Sequence, residues 1–214
     1  RIWSGSPPWG SELSANAVTA SIQWVVLVSA FTENEKILGT LSSSGDLYVQ
    51  VWTGTSWTTP LLLSNVGTTI DAYRIFDIAY ERVSGRALVV YNKDNLDDLR
   101  FRIWDGSSWS NENTIDTPLA RIHFVDMASS PKSDNISLII LDNNTDVYGM
   151  MWNGSSWGNM GDTAVWDDTA ALGAQGPTFC IATEFEQQSG EAMFILRSVR
   201  KCQERRRSVS LELF

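Results

Sequence analysis

Few side chains in this chain could do catalytic or metal chemistry. There is one histidine, His123, and there are two cysteines, Cys180 and Cys202. His123 sits at the start of an expected strand, with no serine or cysteine motif to complete a triad. It reads as a structural histidine. The cysteines lack metal-ligand spacing, and with a single histidine they cannot build an ordinary zinc site. A disulfide between them is an option that the sequence does not decide. Asp142-Asn-Asn-Thr-Asp146 imitates the start of a calcium loop. No glycine follows it, however, and Asn153 stands where the closing glutamate belongs. The same stretch reads as a hairpin turn. Glu81, Glu184 and Glu186 could be proposed as paired acids for glycoside hydrolysis, but nothing in their spacing singles them out. There is no phosphate loop, Gly-rich dinucleotide turn or zinc-protease helix. No catalytic residue, metal ligand or cofactor is therefore assigned.

Aromatic rings are the richer resource. Eight of the ten tryptophans fall in copies of one short string. It reads Trp52-Thr-Gly-Thr-Ser-Trp57, Trp104-Asp-Gly-Ser-Ser-Trp109 and Trp152-Asn-Gly-Ser-Ser-Trp157, with a looser copy, Trp3-Ser-Gly-Ser-Pro-Pro-Trp9, at the start. Indole faces can stack on a sugar ring, or they can fill space between repeats. The candidate ligand-binding residues are Trp57, Trp109 and Trp157, followed by Trp52, Trp104 and Trp152.

The elements that hold these rings are legible. Leu47–Trp52, Leu99–Trp104 and Val147–Trp152 each place an apolar residue at every second position, the period of a half-buried strand. The glycine two residues after each first Trp supplies a tight turn, and the second Trp starts the return strand. Each string is thus a hairpin with an aromatic at each foot. The first tryptophans lie 49, 52 and 48 residues apart, so the chain is an array of repeats near 50 residues long.

Within each repeat the strands follow the same order. The first repeat gives Ser21–Phe31, Lys36–Leu41, Asp46–Trp52 and a short fourth strand near Trp57–Leu63. The second gives Arg74–Glu81, Arg86–Tyr91 and a third strand ending at Trp104. The third gives Ile122–Ala128, Asn135–Leu141 and Asp146–Trp152. The fourth is disguised. Phe179-Cys-Ile-Ala182 is matched to Phe76-Asp-Ile-Ala79, Ala192–Leu196 to Ala87–Tyr91, and Val209–Phe214 to Leu99–Trp104. The expected repeats are 1–20 (partial), 21–65, 74–118, 121–166 and 178–214, in a single domain.

No helical period appears. Three or four short strands per repeat describe a β-propeller blade, so the expected fold is all-β with about four blades. They would form a closed ring or an arc of a larger one; a β-sandwich is the competing fold. The chain opens at Arg1-Ile-Trp3, read as the end of a repeat strand, and is therefore expected to be part of a longer chain. A net charge of −9 argues against nucleic acid as a partner. No run approaches the roughly 20 apolar residues of a membrane helix. Arg197–Arg207 is abruptly basic, with six of its eleven residues Arg or Lys. It reads as a solvated loop, with an altered reading frame, a junction of unrelated sequence or an anionic-partner site as rivals. Asn135-Ile-Ser, Asn143-Asn-Thr and Asn153-Gly-Ser fit the N-glycan acceptor pattern and are compatible with an outside location.

The hairpin string, best seen in Arg102-Ile-Trp-Asp-Gly-Ser-Ser-Trp109, resembles the repeat of the six-bladed propeller lectins that bind fucose, found in fungi and bacteria. The resemblance covers about ten residues in each of three repeats. It implies a propeller. In that family the sugar is held by an Arg on the second strand, a Glu three residues before the first Trp, and a stacking aromatic. Here Val49, Phe101 and Gly149 occupy the Glu position, and Ile37–Leu41, Leu88–Tyr91 and Leu138–Leu141 carry no Arg. Only the tryptophans carry over.

The expected function is a non-catalytic binding or adhesion module, extracellular or on the cell surface, with glycans or surface proteins as partners. The alternatives are a purely structural scaffold of a large surface protein, and part of a sialidase- or glycosidase-like enzyme.

Overall fold

The computed structural model describes residues 5, 6, 8, 10–67, 73–94, 98–158, 166 and 181–196. Cys180, Cys202, Arg197–Arg207, the opening Trp3 and Trp9, and the expected strand at Val209–Phe214 lie outside the described residues.

The first sheet runs β1 (Ile22–Ser29), β2 (Lys36–Ser42), β3 (Asp46–Trp52), β4 (Leu61–Asn65). The second runs β5 (Phe76–Tyr80), β6 (Ala87–Asn92), β7 (Leu99–Trp104), β8 (Asn113–Ile115). The third runs β9 (Ile122–Ser129), β10 (Ile136–Asp142), β11 (Val147–Trp152), β12 (Trp157–Gly158), and β13 (Ile181–Phe185) pairs with β14 (Ala192–Leu196). Each sheet is a meander whose strands pair in chain order, all antiparallel. No strand is shared between sheets, and the first strands β1, β5, β9 and β13 lie side by side in sequence order. This is the blade arrangement rather than a two-sheet sandwich.

The hairpins form as the glycines require. Gly54, Gly106 and Gly154 have φ of +91°, +93° and +92°, which residues with a Cβ rarely adopt. Asp105 Oδ1 accepts the amides of Ser107 and Ser108, and Asn153 Oδ1 accepts those of Ser155 and Ser156. The tryptophans at the two feet bridge across the hairpin. Their ring centroids are 5.6, 5.5 and 5.5 Å apart in the three copies, tilted by 61°, 52° and 55°. The fourth strand of the first sheet starts later than expected, at Leu61. Trp57 makes only an isolated bridge, and Pro60 has no amide hydrogen for the ladder.

The sheets stack through apolar cores. One core joins Ile37, Leu41, Val49 and Val51 of the first sheet to Phe76, Ile78, Val89 and Trp104 of the second. A second joins Leu88, Val90 and Phe101 to Val125, Met127, Leu138 and Trp152. A third joins Ile139, Leu141 and Val147 to Ile181, Phe194 and Leu196. The strand register aligns the repeats: Lys36, Ala87 and Ile136 all pair with a first tryptophan. Phe185 pairs with Ala192 as Tyr80 pairs with Ala87. Ile181 therefore occupies the place of Phe76, and the expected match of Phe179 to Phe76 is two residues out of register.

By the same alignment Val25, Leu27, Leu38 and Tyr48 are the counterparts of Phe76, Ile78, Val89 and Arg100. In the second sheet this face is buried on the first. In the first sheet it is open, with Val25 and Leu27 each 58% exposed. A polar strand of chain crosses it. The Asn16 backbone exchanges hydrogen bonds with the Gln50 side chain at 2.9 Å in both directions, and Thr19 donates to Asp46 at 2.8 Å.

Two polar seams lock neighbouring sheets. On the inner strands, Asp77 accepts the amide of Met127 from the next sheet at 2.8 Å, and Asp126 accepts that of Thr183 at 2.9 Å. These are equivalent positions, so one device repeats. Arg74 bridges both carboxylates. Farther out, Glu81 is fully buried. It accepts from Arg86 Nε at 2.6 Å, from Arg86 Nη2 at 2.9 Å and from the indole of Trp152, across the seam, at 2.5 Å. Arg86 also donates to the Gly154 carbonyl at 2.6 Å. In the first sheet Ala30 stands where Glu81 does, judged by equivalent closing bonds to Glu35 and Arg86. Accordingly the indole N–H of Trp104 is buried without an acceptor among the described residues.

Glu81→Ala removes the acceptor for Arg86 and Trp152 together. Taking one partner from a buried pair costs about 3–5 kcal/mol, and the partial exposure of Arg86 places this case at the low end. A urea titration checks it. Burial foremost pushes the Asp77 carboxyl up to about 7; Asp126 adds to this, and Arg74 with the amides of Ile78 and Met127 oppose it. A carboxyl raised on folding holds its proton more tightly in the native state. Its contribution to stability is therefore present at low pH and lost as pH climbs from the ordinary carboxylate range through 7. Urea midpoints of the wild type and Asp77→Asn, compared across that range, are expected to diverge in this sense, with the variant lacking the decline.

Candidate functional site

The six candidate tryptophans divide into three environments. Trp104 and Trp152 are 5% and 1% exposed and present no ring face to a ligand. Trp109 and Trp157 are half-buried at the edges of the first and second cores. Trp52 and Trp57 are half-buried on the open side of the first sheet, and the Trp57 carbonyl accepts from Asn16 at 3.3 Å. The hairpins thus bring the rings together in pairs, and the second and third pairs lie at seams between sheets. The first ring of the second and third pairs is packing.

The seam between the second and third sheets is filled. Phe101 lies edge-on to Trp152 and Trp157 at 5.7 and 6.3 Å. In the third sheet Gly149 occupies the corresponding position, and the ring of Trp166 lies against it. That ring is edge-on to Phe194 at 5.1 Å, and the Trp166 amide donates to Val147 at 2.7 Å. In the seam between the first and second sheets the equivalent residue is Val49, a smaller side chain, under Trp104 and Trp109.

That same seam carries a polar cluster that the other seams lack among the described residues. Arg100 and Arg102 alternate along β7 and point to the same face as Trp104, paired with Tyr91 and Val89 of β6. The matching residues are Tyr48 and Gln50 in the first sheet and Tyr148 and Met150 in the third. Arg100 pairs with Asp98. Arg102 Nη1 donates to the Ser110 carbonyl at 2.8 Å, next to Trp109. The Nε atoms of both arginines are buried without a partner among the described residues. Glu112, just before β8, accepts at Oε2 from Tyr91 at 2.6 Å and pairs there with Lys93 at 3.1 Å. Lys93 also reaches across the seam to the Leu63 carbonyl at 3.0 Å.

Burial alone would raise Glu112, but hydrogen bonds from Tyr91 and Lys93 and the charges of Lys93 and Arg102 outweigh it and lower its pKa. Burial, then the bond to Glu112, pushes the Tyr91 hydroxyl up, so Tyr91 is a neutral donor. The cluster therefore offers cationic donors, an ionised acceptor and the neighbouring Trp109 ring. An arginine, a carboxylate and an aromatic are the kinds of group expected by resemblance, but the arginines sit on the third strand, not the second. Sequence reading passed over them. The available signal was Leu99-Arg-Phe-Arg-Ile-Trp104, where the first and third repeats carry no charge at the same places.

The remaining candidates take local roles. His123 stacks on Tyr73 with centroids 3.7 Å apart, and burial foremost lowers its pKa. Both oxygens of Asp142 accept amides, from Asn144 and Asp146 on one side and Ala120 on the other, so the calcium-like stretch is a closed turn. No group of three metal-ligating side chains occurs among the described residues. Glu184 accepts the amide of Phe185, and Glu186 caps a turn by accepting from Gln188 and Ser189.

No protein-family model matches the sequence, and no curated protein is significantly similar to it. Among solved structures the chain is similar to the fucose-specific lectin from Aleuria aurantia, at 16% identity and a TM-score of 0.50, over 78% of this chain and 50% of that one. It also aligns with the SapL1 lectin in complex with α-methyl fucoside, at 15% identity and a TM-score of 0.46, over 80% of this chain and 55% of that one. The chain spans about half the length of these lectins. At this identity the likeness shows the fold: an all-β, propeller-type array.

Gly149→Ala tests the packing that fills the seam beside the third sheet. The added Cβ would lie 1.8 Å from the Trp166 ring. Overpacking of this kind costs about 1–3 kcal/mol. Thermal unfolding is expected to shift down, and a double variant with Trp166→Ala should recover part of the loss.

Proposed function

We propose that this chain is a carbohydrate-binding module without catalytic activity, acting outside the cell, and that its site is the seam between the first two sheets. The single observation behind this reading is the cluster of Arg102, Glu112, Tyr91 and Lys93 beside the half-buried Trp109. Among the described residues it occurs at one seam of a repeat array, and a feature needed only for stacking would recur in all of them. Sugar recognition requires a ring to stack on and fixed donors and acceptors for hydroxyls. Among the described residues the contacts of Glu112 are made through Oε2, and Trp109 is only half-buried. The propeller fold and the lectins that share it support the reading. The buried Trp104 and Trp152 favour the scaffold reading for those two residues.

A glycan array probed with the purified chain and with Trp109→Ala tests the proposal. The wild type is expected to bind a subset of glycans, and the variant to lose at least about tenfold in affinity, since a stacked aromatic contributes on the order of 1.5 kcal/mol or more. Trp157→Ala should leave the same glycans bound. A folded wild type that binds nothing on the array leaves the scaffold reading standing instead.

A further inference from the structure

We infer that the sugar bound at this seam carries a carboxylate, of the uronic or sialic acid kind, and that Arg102 is the residue that receives it. The inference rests on the carbohydrate reading and deepens it.

The argument is one of uncompensated charge. Among the described residues the cluster holds three cations, Arg100, Arg102 and Lys93, and two carboxylates in contact with them. Asp98 is taken by Arg100, and Glu112 by Lys93. Among the described residues Arg102 has no carboxylate within ion-pair distance, and the Glu112 charge, already paired with Lys93, reaches it only from farther off. Its guanidinium donates to the neutral Ser110 carbonyl at 2.8 Å and lies beside the neutral Tyr91 hydroxyl. Its Nε is buried without a partner among the described residues. A half-buried guanidinium in this state is under-compensated, because the more distant charge of Glu112, shared with Lys93, offsets its desolvation only in part. The other repeats avoid the problem with Gln50 and Met150.

A bound carboxylate offsets that cost. The planar fork of a guanidinium matches two carboxylate oxygens, which an ammonium or a hydroxyl donor does not. Size is bounded too. The chain as a whole has a net charge of −9, so a long polyanion would be repelled by the surrounding surface. A single carboxylate on a sugar of one or two rings meets the local positive charge alone. Glu112 Oε1 then accepts a ring hydroxyl, and Trp109 offers its face to the sugar ring.

Isothermal titration of the full chain with digalacturonic acid, its methyl ester, 3′-sialyllactose, neutral lactose and a sulfated disaccharide tests this. The ester differs from the acid only in charge, so the comparison needs no variant. At least one carboxylated sugar is expected to bind about tenfold or more tighter than its neutral partner, as the loss of one charge-assisted contact implies. Arg102→Gln should abolish that preference, and Arg102→Lys should restore only part of it, with both variants checked for folding by near-UV circular dichroism. Equal binding of acid and ester, or tighter binding of the sulfated sugar, overturns the carboxylate assignment and leaves the carbohydrate reading intact. Absence of binding by any of the five, in a chain that also binds nothing on the array, overturns both.

Discussion

Both faces of the middle sheets are apolar, and such a sheet can bury them only between two others. Every residue of β5 and β6 is buried. This one constraint arranges the molecule. It forces the first strands into a row, sets the second and third tryptophan hairpins at the seams, and decides which side chains stay accessible. It also accounts for the first sheet, where among the described residues the same face has no sheet against it. Val25 and Leu27 remain exposed there, and the stretch around Asn16 and Thr19 satisfies the polar edge of that face.

Apolar stacking does not fix how neighbouring sheets are set against one another; the polar seams do. Asp77 and Asp126 each take an amide from the next inner strand, so the same contact is made twice along the array. Glu81 does the corresponding work farther out, holding the Trp152 indole and Arg86 together. The seam between the first and second sheets lacks this outer lock, because Ala30 replaces the glutamate, and Val49 fills less space than Phe101. It has instead the charged cluster of Arg100, Arg102, Lys93 and Glu112. Where the repeat is least strictly kept, charged side chains take the place of the packing and locks found elsewhere.

The fold was largely legible because it rests on local periodicity. Alternation before each Trp gave the third strands, and the glycine between each pair of tryptophans gave hairpins whose φ values bear this out. Boundaries set by hydrogen bonding rather than by pattern were less legible. β4 begins beyond Pro60, and Ile181, not Phe179, takes the place of Phe76. The site was legible only in part. Tryptophans announce themselves by spacing, but whether a ring is buried depends on the sheet stacked against it. Trp104 and Trp109 are equivalent in the string and different in exposure. Arg102 and Glu112 meet Tyr91 and Lys93 through strand pairing across the second sheet, a relation that no linear motif displays.

The central claim is that a sugar binds at one seam of the array and touches Trp109. Ten tryptophans give ten indole N–H signals in a proton–nitrogen correlation spectrum. Titration with digalacturonic acid should shift the Trp109 signal progressively, and Trp152, sealed against Glu81, should stay in place. Shifts confined to Trp52 and Trp57, or none at saturating sugar, would contradict the placement of the site.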